Sequence, residues 1–286
     1  MSLLQNDGPA AQGFVMKEAL NLPVHVRAPA STANLGPGFD CAAVALELWN
    51  ELEVDEGDSA AGPEHLGVQA FSLLAPAEGL AFRFTDRIPR LRGLGSSASV
   101  IALGLVAAKR VLDEPLDPEE LLALGVPLEG HPDNLAAALA GGACLTWEGR
   151  IARLAESLPL VPVAVVPDET VETAESRAAL PAAVPHADAA YTAARAALLG
   201  AGLATGDADL FAAALDDRLH EPYRPSPALD AVREELPPGA RGATLSGSGP
   251  TVIVWADEPD ACAAALAQRF PEHDVLPLAV TPRGAL

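Results

Sequence analysis

Long apolar runs, paired cysteines and basic clusters are all missing from this chain, and each gap removes a class of function. No stretch approaches the roughly 20 consecutive apolar residues of a membrane-spanning helix, so no membrane association is expected. The N-terminus has no basic region followed by an apolar run, so no secretory leader is expected. The three cysteines, Cys41, Cys144 and Cys262, are far apart and odd in number. They form neither a metal spacing nor a disulfide framework. They read as small buried hydrophobes of a cytoplasmic protein. Basic residues are scarce: 18 Lys and Arg face 39 Asp and Glu, for a formal net charge of −21. Only Arg87, Arg90 and Arg92 lie close together, which excludes nucleic acid and anionic membranes as partners. An anion bound here must be held by local geometry, not by the field of the whole protein.

Half of the residues are hydrophobic, enough for a core without disulfides, and 286 residues allow two domains. Alternation predicts strands over residues 24–27, 44–55 and 80–85, with a polar loop over 57–67. A helix apolar nearly all round is predicted over 97–112, with Lys109 and Arg110 in its last turn. Asp117-Pro118-Glu119-Glu120 has the order of a helix start, with Asp117 as N-cap. A short helix over 134–140 stops at Gly141 and Gly142, before a strand over 143–147. The pattern then restarts. Strand 160–166 is followed by helices 186–199, 207–219 and 225–236, strand 251–255, helix 259–270 and strand 274–280. Strands and helices alternate without a repeated unit, which predicts an α+β chain of two domains divided near residues 148–158. Residues 1–20 read as an N-terminal extension, 21–150 as the first domain and 151–286 as the second.

The segment Pro89-Arg90-Leu91-Arg92-Gly93-Leu94-Gly95-Ser96-Ser97-Ala98 carries the most information. Its glycines let backbone approach a ligand, and its hydroxyls stand where the apolar helix begins. A helix start offers unpaired N–H groups and roughly +0.5 elementary charge, which suits a phosphate. Gly93, Gly95 and Ala98 match the G-x-G-x-x-A dinucleotide fingerprint. That fingerprint follows a buried strand, and residues 88–92 are too charged and Pro-broken for one. No G-x-x-x-x-G-K-[ST] occurs, which excludes a Walker loop. A turn that merely tightens a loop–helix junction would explain the glycines alone.

Three further small-residue segments speak for a ligand. Residues 28–40, A-P-A-S-T-A-N-L-G-P-G-F-D, read as a loop that exposes Asn34 and Asp40 to a cleft. The amide donates and accepts, and the acid accepts from an ammonium. Either could instead satisfy local backbone groups. Glu129-Gly130-His131-Pro132-Asp133-Asn134 is a dense polar knot between predicted helices. A carboxylate beside a phosphate site suits Mg²⁺, while Asp133 is expected to cap the following helix. Residues 243–251, A-T-L-S-G-S-G-P-T, form a second glycine loop running into a strand.

With these residues in view, the chain resembles the GHMP kinase superfamily, and within it the homoserine kinase family. The P-x-x-x-G-L-G-S-S-A turn is similar to the superfamily's ATP-phosphate motif. Residues 28–40, E-G-H-P-D-N, T-A-E-S-R-A-A-L-P and L-S-G-S-G-P-T are similar to further family segments, so the likeness spans about residues 24–282. It implies a GHMP kinase fold: a ribosomal protein S5 domain 2-like N-terminal domain, a ferredoxin-like C-terminal domain and a site in the cleft between them. The implied reaction moves the γ-phosphoryl of ATP, with Mg²⁺, to the hydroxyl of L-homoserine, giving O-phosphohomoserine for threonine biosynthesis. The implied assembly is a homodimer.

Carried over residue by residue, the resemblance assigns Pro89, Arg90, Leu91, Arg92, Gly93, Leu94, Gly95, Ser96 and Ser97 to ATP. It assigns Ser97 and Glu129 to Mg²⁺, and Asn34, Asp40, His131, Arg177 and Arg224 to the amino acid. Glu129, Asn134 and Thr173 fall near the reacting groups. Chemistry agrees with this division. A zwitterion needs an acid for its ammonium, a place Asp40 fills, and cations for its carboxylate, which Arg177 and Arg224 can bind bidentately. Without a Walker lysine, the charge in transfer would fall to Mg²⁺, the helix start and loop N–H groups. Asn134 can orient a hydroxyl but cannot take its proton, so no general base is assigned. Ser31 and Thr32 stand in the less usual order for the family. Gly125-Val126-Pro127 is expected to interrupt the helix ahead of Glu129 and disturb its aim. Two other readings stay open. One is a GHMP kinase for another small alcohol, of mevalonate type or a sugar. The other is a catalytically silent GHMP-fold protein that binds a ligand.

Overall fold

The computed structural model describes residues 20–286; apart from Leu20, the extension expected over residues 1–20 lies outside the described residues. Strand β1 (Val24–Asn34) turns through residues 35–37 into β2 (Gly38–Glu56), and the two pair antiparallel along their length. Most of the loop expected over 28–40 is therefore strand. Pro29 is tolerated because a register shift lies between it and Ala30. Ser31, Thr32 and Ala33 are small enough to be buried completely where other elements cover the ladder.

Helix α1 (Leu66–Ser72), β3 (Leu80–Thr85), α2 (Ser96–Leu112), α3 (Pro118–Glu129), α4 (Asp133–Ala140), β4 (Ala143–Trp147) and β5 (Arg150–Ala155) complete the first layer pair. β2 is long enough to pair β3 with its second half and β4 with its first, and β4 pairs β5. The all-apolar α2 is the core helix, as its composition predicts. Ile101 and Leu105 pack in one cluster with Leu122 of α3 and Leu135 of α4.

The second half comprises β6 (Val161–Val166), α5 (Thr173–Ala178), α6 (His186–Thr205), α7 (Ala208–Ala214), a 3₁₀ turn (Glu221–Tyr223), α8 (Pro227–Glu234), β7 (Ala240–Leu245), β8 (Val252–Ala256), α9 (Pro259–Arg269) and β9 (Asp274–Pro277). Its antiparallel sheet has the order β7-β8-β6-β9, the split β-α-β arrangement of a ferredoxin-like domain. After β9 the chain returns to the first sheet. Leu46 bridges Val280, and Arg27 and Leu286 exchange backbone hydrogen bonds. Ala30, Leu35 and Leu94 share one buried cluster with Phe211 and Trp255, so the two sheets meet through a continuous apolar floor.

Several local expectations are corrected. The helix expected over 207–219 ends at Ala214, because Asp216 and Asp217 carboxylates take the N–H groups of Asp217, Leu219, His220 and Glu221. The helix expected over 186–199 runs on to Thr205. Helices α1 and α5 and strands β5 and β7 have no counterpart in the sequence reading. β5, starting at the expected division, pairs with β4 of the first sheet. Gly125-Val126-Pro127 does not interrupt α3. Pro127 sits in the last turn, and the Gly130 N–H still closes on the Val126 carbonyl at 2.8 Å. Asp133 is not the cap of α4, whose N-cap is Pro132; it is the first helical residue.

Candidate active site

A cavity of about 680 Å³ opens between the two halves. Of the residues that the resemblance assigns to ATP, Mg²⁺, the amino acid and the reacting groups, all but Leu94 line it. Leu94 lies in the apolar floor, and its carbonyl accepts from the Ser31 N–H at 3.1 Å.

The glycine turn forms one wall. Gly95, at φ 65°, is the N-cap of α2, and a Cβ there would collide with the Ser31 hydroxyl. Gly93, at φ 79°, lies against the second glycine loop, where a Cβ would strike the Ser246 and Gly249 carbonyls. Ser246 Oγ donates its one hydrogen to the Gly93 carbonyl at 2.5 Å, so its contact with Thr32 Oγ1 at 2.9 Å is one in which the threonine hydroxyl donates. The two glycine loops are thus bonded to each other through a buried hydroxyl. Ser96, Ser97 and Ala98 start α2 with N–H groups that have no intrahelical acceptor. The three clustered arginines are engaged locally: Arg87 with Glu51, Arg90 with Asp86, and Arg92 with the Asp168 carbonyl at 3.0 Å.

The end of α3 meets this wall. The Ser97 hydroxyl donates to Glu129 Oε1 at 2.9 Å. The Glu129 side chain is 2% exposed, and burial pushes its carboxyl up to about 7 against the pull of His131 and Ser97. His131 Nδ1 lies 2.8 Å from Asp133 Oδ1, and its Nε2 lies 3.8 Å from Glu129 Oε1. Burial opposes the charged imidazole, but the hydrogen bond and charge of Asp133, then Glu129, outweigh it and raise its pKa. A buried carboxylate with one hydroxyl beside it, at a helix start, is a hard-oxygen donor pair short of cationic compensation. Mg²⁺ fits such a pair, because it takes few protein ligands and fills its sphere with phosphate oxygens and water. Among the described residues, no group of three or more His, Cys, Asp or Glu is placed to hold a metal.

A charged cluster gathers on Phe39, a residue of the 28–40 segment to which the sequence assigned no role. The Arg177 and Arg224 guanidiniums lie 5.6 and 5.3 Å from its ring centre, and His220 stacks on it at 5.1 Å. Arg177, one turn after Thr173 in α5, donates Nη1 and Nη2 to the two Asp40 oxygens, each at 2.7 Å. The Asn34 amide is committed to backbone: its Nδ2 donates to the Gly247 carbonyl at 3.0 Å, and its Oδ1 accepts from the Asp40 N–H. Ser31 Oγ donates to Asn134 Oδ1 at 2.8 Å, which fixes that amide at the head of α4. An aromatic between Gly38 and Asp40, in a chain with 4% aromatics, was the available signal for Phe39.

A helix start with open N–H groups, a buried Ser–Glu pair and a charged aromatic pocket on this two-domain frame have close relatives. The GHMP kinases N terminal domain family matches residues 64–142, and the GHMP kinases C terminal family matches residues 193–272. The homoserine kinase of Moorella thermoacetica is 39% identical over 91% of this chain and 98% of its own length. This chain belongs to the homoserine kinase family of GHMP kinases. The homoserine kinase of Trichormus variabilis is 37% identical over 85% of this chain and 90% of its own. The fold agrees with the family. The Cytophaga hutchinsonii homoserine kinase crystal structure superposes with a TM-score of 0.83 over 95% of this chain and 99% of its own, at 24% identity. The L. major mevalonate kinase in complex with R-mevalonate shares the fold at TM-score 0.68 and 19% identity, over 90% of this chain and 96% of its own.

Proposed function

We propose that this protein transfers the γ-phosphoryl group of ATP to the side-chain hydroxyl of L-homoserine, forming O-phospho-L-homoserine for threonine biosynthesis. The observation behind this choice of acceptor is the Asp40–Arg177–Arg224 group on Phe39. Asp40 gives two lone-pair directions to Arg177 and keeps two of its roughly four for an ammonium group. Arg224 keeps its Nη2 hydrogens without a partner among the described residues, free for a carboxylate, while its Nε is unpaired but buried. A neutral sugar needs neither charge, and mevalonate has no ammonium.

In this reading the N–H groups at the start of α2 and of the glycine turn hold the ATP phosphates. The apolar end of the cavity, lined by Ala60, Ala61, His65, Leu66 and Val100, takes the base. Ser97 and Glu129 are the residues that would hold Mg²⁺, which when bound neutralises charge on the transferring phosphate. Asn134, fixed by Ser31, presents its Nδ2 to orient the acceptor hydroxyl. Thr173 stands at the start of α5 to bond the hydroxyl or the phosphate. Asp133 is committed to His131 and to the Asn134 N–H at 2.7 Å, so it keeps α4 and His131 in place and is given no role as a base. Phosphoryl transfer asks chiefly for positioning and charge stabilisation, which these groups supply. The reading also includes cytoplasmic location and a homodimer, the latter checked by sedimentation.

The test is a coupled ADP-release assay with Mg·ATP and four acceptors: L-homoserine, L-threonine, mevalonate and galactose. Turnover with homoserine well above the others supports the proposal. Clear turnover with another alcohol and none with homoserine would sink it.

A further inference from the structure

We infer that His220 is a positioning residue that sets the aim of Arg224 toward the carboxylate of the acceptor, an inference resting on the proposed function. His220 is completely buried. Its Nε2 lies 2.8 Å from the Gly36 carbonyl oxygen, which can only accept, so Nε2 carries the hydrogen. In a neutral ring Nδ1 is then an acceptor, and Arg224 Nη1 donates to it at 3.1 Å. The same Nη1 donates to the Gly247 carbonyl at 3.1 Å. Both Nη1 hydrogens are thereby fixed from one side of the guanidinium, which turns Nε and Nη2 away from His220 and Gly247. Only one tautomer satisfies both contacts, and it is uncharged.

The ring itself is held in place. Asp217, fully buried, accepts from the N–H groups of Leu219, His220 and Glu221 and from Thr192 Oγ1 at 3.1 Å. This pins the backbone that carries His220, and Phe39 stacks on the imidazole. The charged groups facing the ring are Asp217, Asp40 and Arg224. Burial and Arg224 outweigh the acids and lower its pKa to about 4, consistent with the neutral ring that the contacts demand. His220 thus joins the first-sheet turn at Gly36 to the arginine of the second half. The sequence shows it only as the first residue of H-x-P-Y-R.

A simpler role would be to pin the Gly36 turn, and side-chain length separates the two. Asn places a polar atom near the Nδ1 position, and Gln near the Nε2 position. His220→Phe keeps the ring stack and loses both contacts. His220→Gln keeps the Gly36 contact alone. His220→Asn keeps the Arg224 contact alone. Steady-state kinetics of each are compared with wild type, with homoserine and with ATP varied separately.

If His220 aims Arg224, Phe and Gln both raise the homoserine KM by about tenfold or more, the loss expected for one bond to a charged group. The ATP KM stays constant, kcat changes much less, and Asn recovers most of the loss. If Asn behaves as Phe does while Gln behaves as wild type, or if no variant moves the homoserine KM, the inference is overturned. Wild-type turnover of homoserine is measured first: its absence overturns the functional reading and this inference together, whereas turnover with unmoved variants overturns this inference alone. Should the variants not fold, ¹⁵N histidine spectra of the wild-type protein decide. The expected His220 signal is that of a neutral Nε2–H ring that does not titrate between roughly pH 5.5 and 8. An Nδ1–H ring or an imidazolium in that range overturns it.

Discussion

Replacing Arg224 by Ala should damage the use of homoserine through its carboxylate and nothing else. The residue is 6% exposed, and its hydrogen-bond acceptors among the described residues are His220 Nδ1 and the Gly247 carbonyl. Its two Nη2 hydrogens are left for a ligand, its Nε being unpaired but buried. Truncating one member of a buried, hydrogen-bonded charge pair costs about 2–5 kcal/mol. At about 1.4 kcal/mol per tenfold, kcat/KM for homoserine falls roughly 30-fold to several thousand-fold. The Asp40–Arg177 pair is untouched, so the ammonium subsite survives. The assay follows ADP release for wild type and Arg224→Ala with two acceptors: L-homoserine and 3-aminopropan-1-ol, which lacks the carboxylate. The four kcat/KM values form a cycle whose interaction term isolates the arginine–carboxylate contact. The substitution should cost the carboxylate-free acceptor less than about threefold, since no charge partner is lost there. An equal loss with both acceptors would refute the reasoning, because Arg224 would then act on the fold of the site and not on the carboxylate.

Glu129→Gln should lower kcat by about a hundredfold or more and raise the Mg²⁺ concentration needed for half-maximal rate, as titration of initial rates will show. The same change should leave Tm without nucleotide equal or higher, since it removes a buried carboxyl whose pKa burial has pushed up to about 7. Gly93→Ala should destabilise the protein by about 1–3 kcal/mol in urea titration, because φ is 79° and the Cβ would strike the Ser246 and Gly249 carbonyls. His220 has a folded-state pKa depressed from 6.5 to about 4 by burial, so the unfolded chain takes up the proton first. Its share of stability is therefore full above about pH 6.5 and falls as pH drops toward 4, by on the order of 3 kcal/mol, and His220→Phe should flatten that part of the stability–pH curve.

The glycine turn was legible in the sequence because local backbone geometry dictates it, whereas Arg177, Arg224 and Thr173 entered only with the family resemblance. A glycine turn into an apolar helix has few structural meanings, and α2 begins within one residue of its predicted start. Asp117 and Glu120 form the capping box that their spacing announces. What escaped were features decided by contacts between distant segments. Residues 28–34 look like loop because Ala, Ser and Pro have weak strand preference, yet pairing to β2 and cover by α2 and α4 make them β1. The helix expected to reach Leu219 stops early because Asp216 and Asp217 redirect the backbone N–H groups, an effect that apolar periodicity does not register. The break expected before Glu129 failed because a proline in a final turn removes one hydrogen bond and leaves the closing bond intact. Asp133 looked like a cap because it precedes a helix, but its carboxylate is drawn to His131. Phe39 and His220 were hidden for a related reason: their importance lies in whom they touch across the two halves, which a single sequence does not display.

Whether this cleft joins an ATP phosphate to an amino acid hydroxyl is decided by ³¹P NMR of the purified protein with ATP, Mg²⁺ and L-homoserine. The expected result is a new phosphate monoester signal, coupled to the side-chain methylene protons of homoserine and growing in step with ADP. ADP formation without that monoester, or a monoester formed from mevalonate or galactose and not from homoserine, would contradict it.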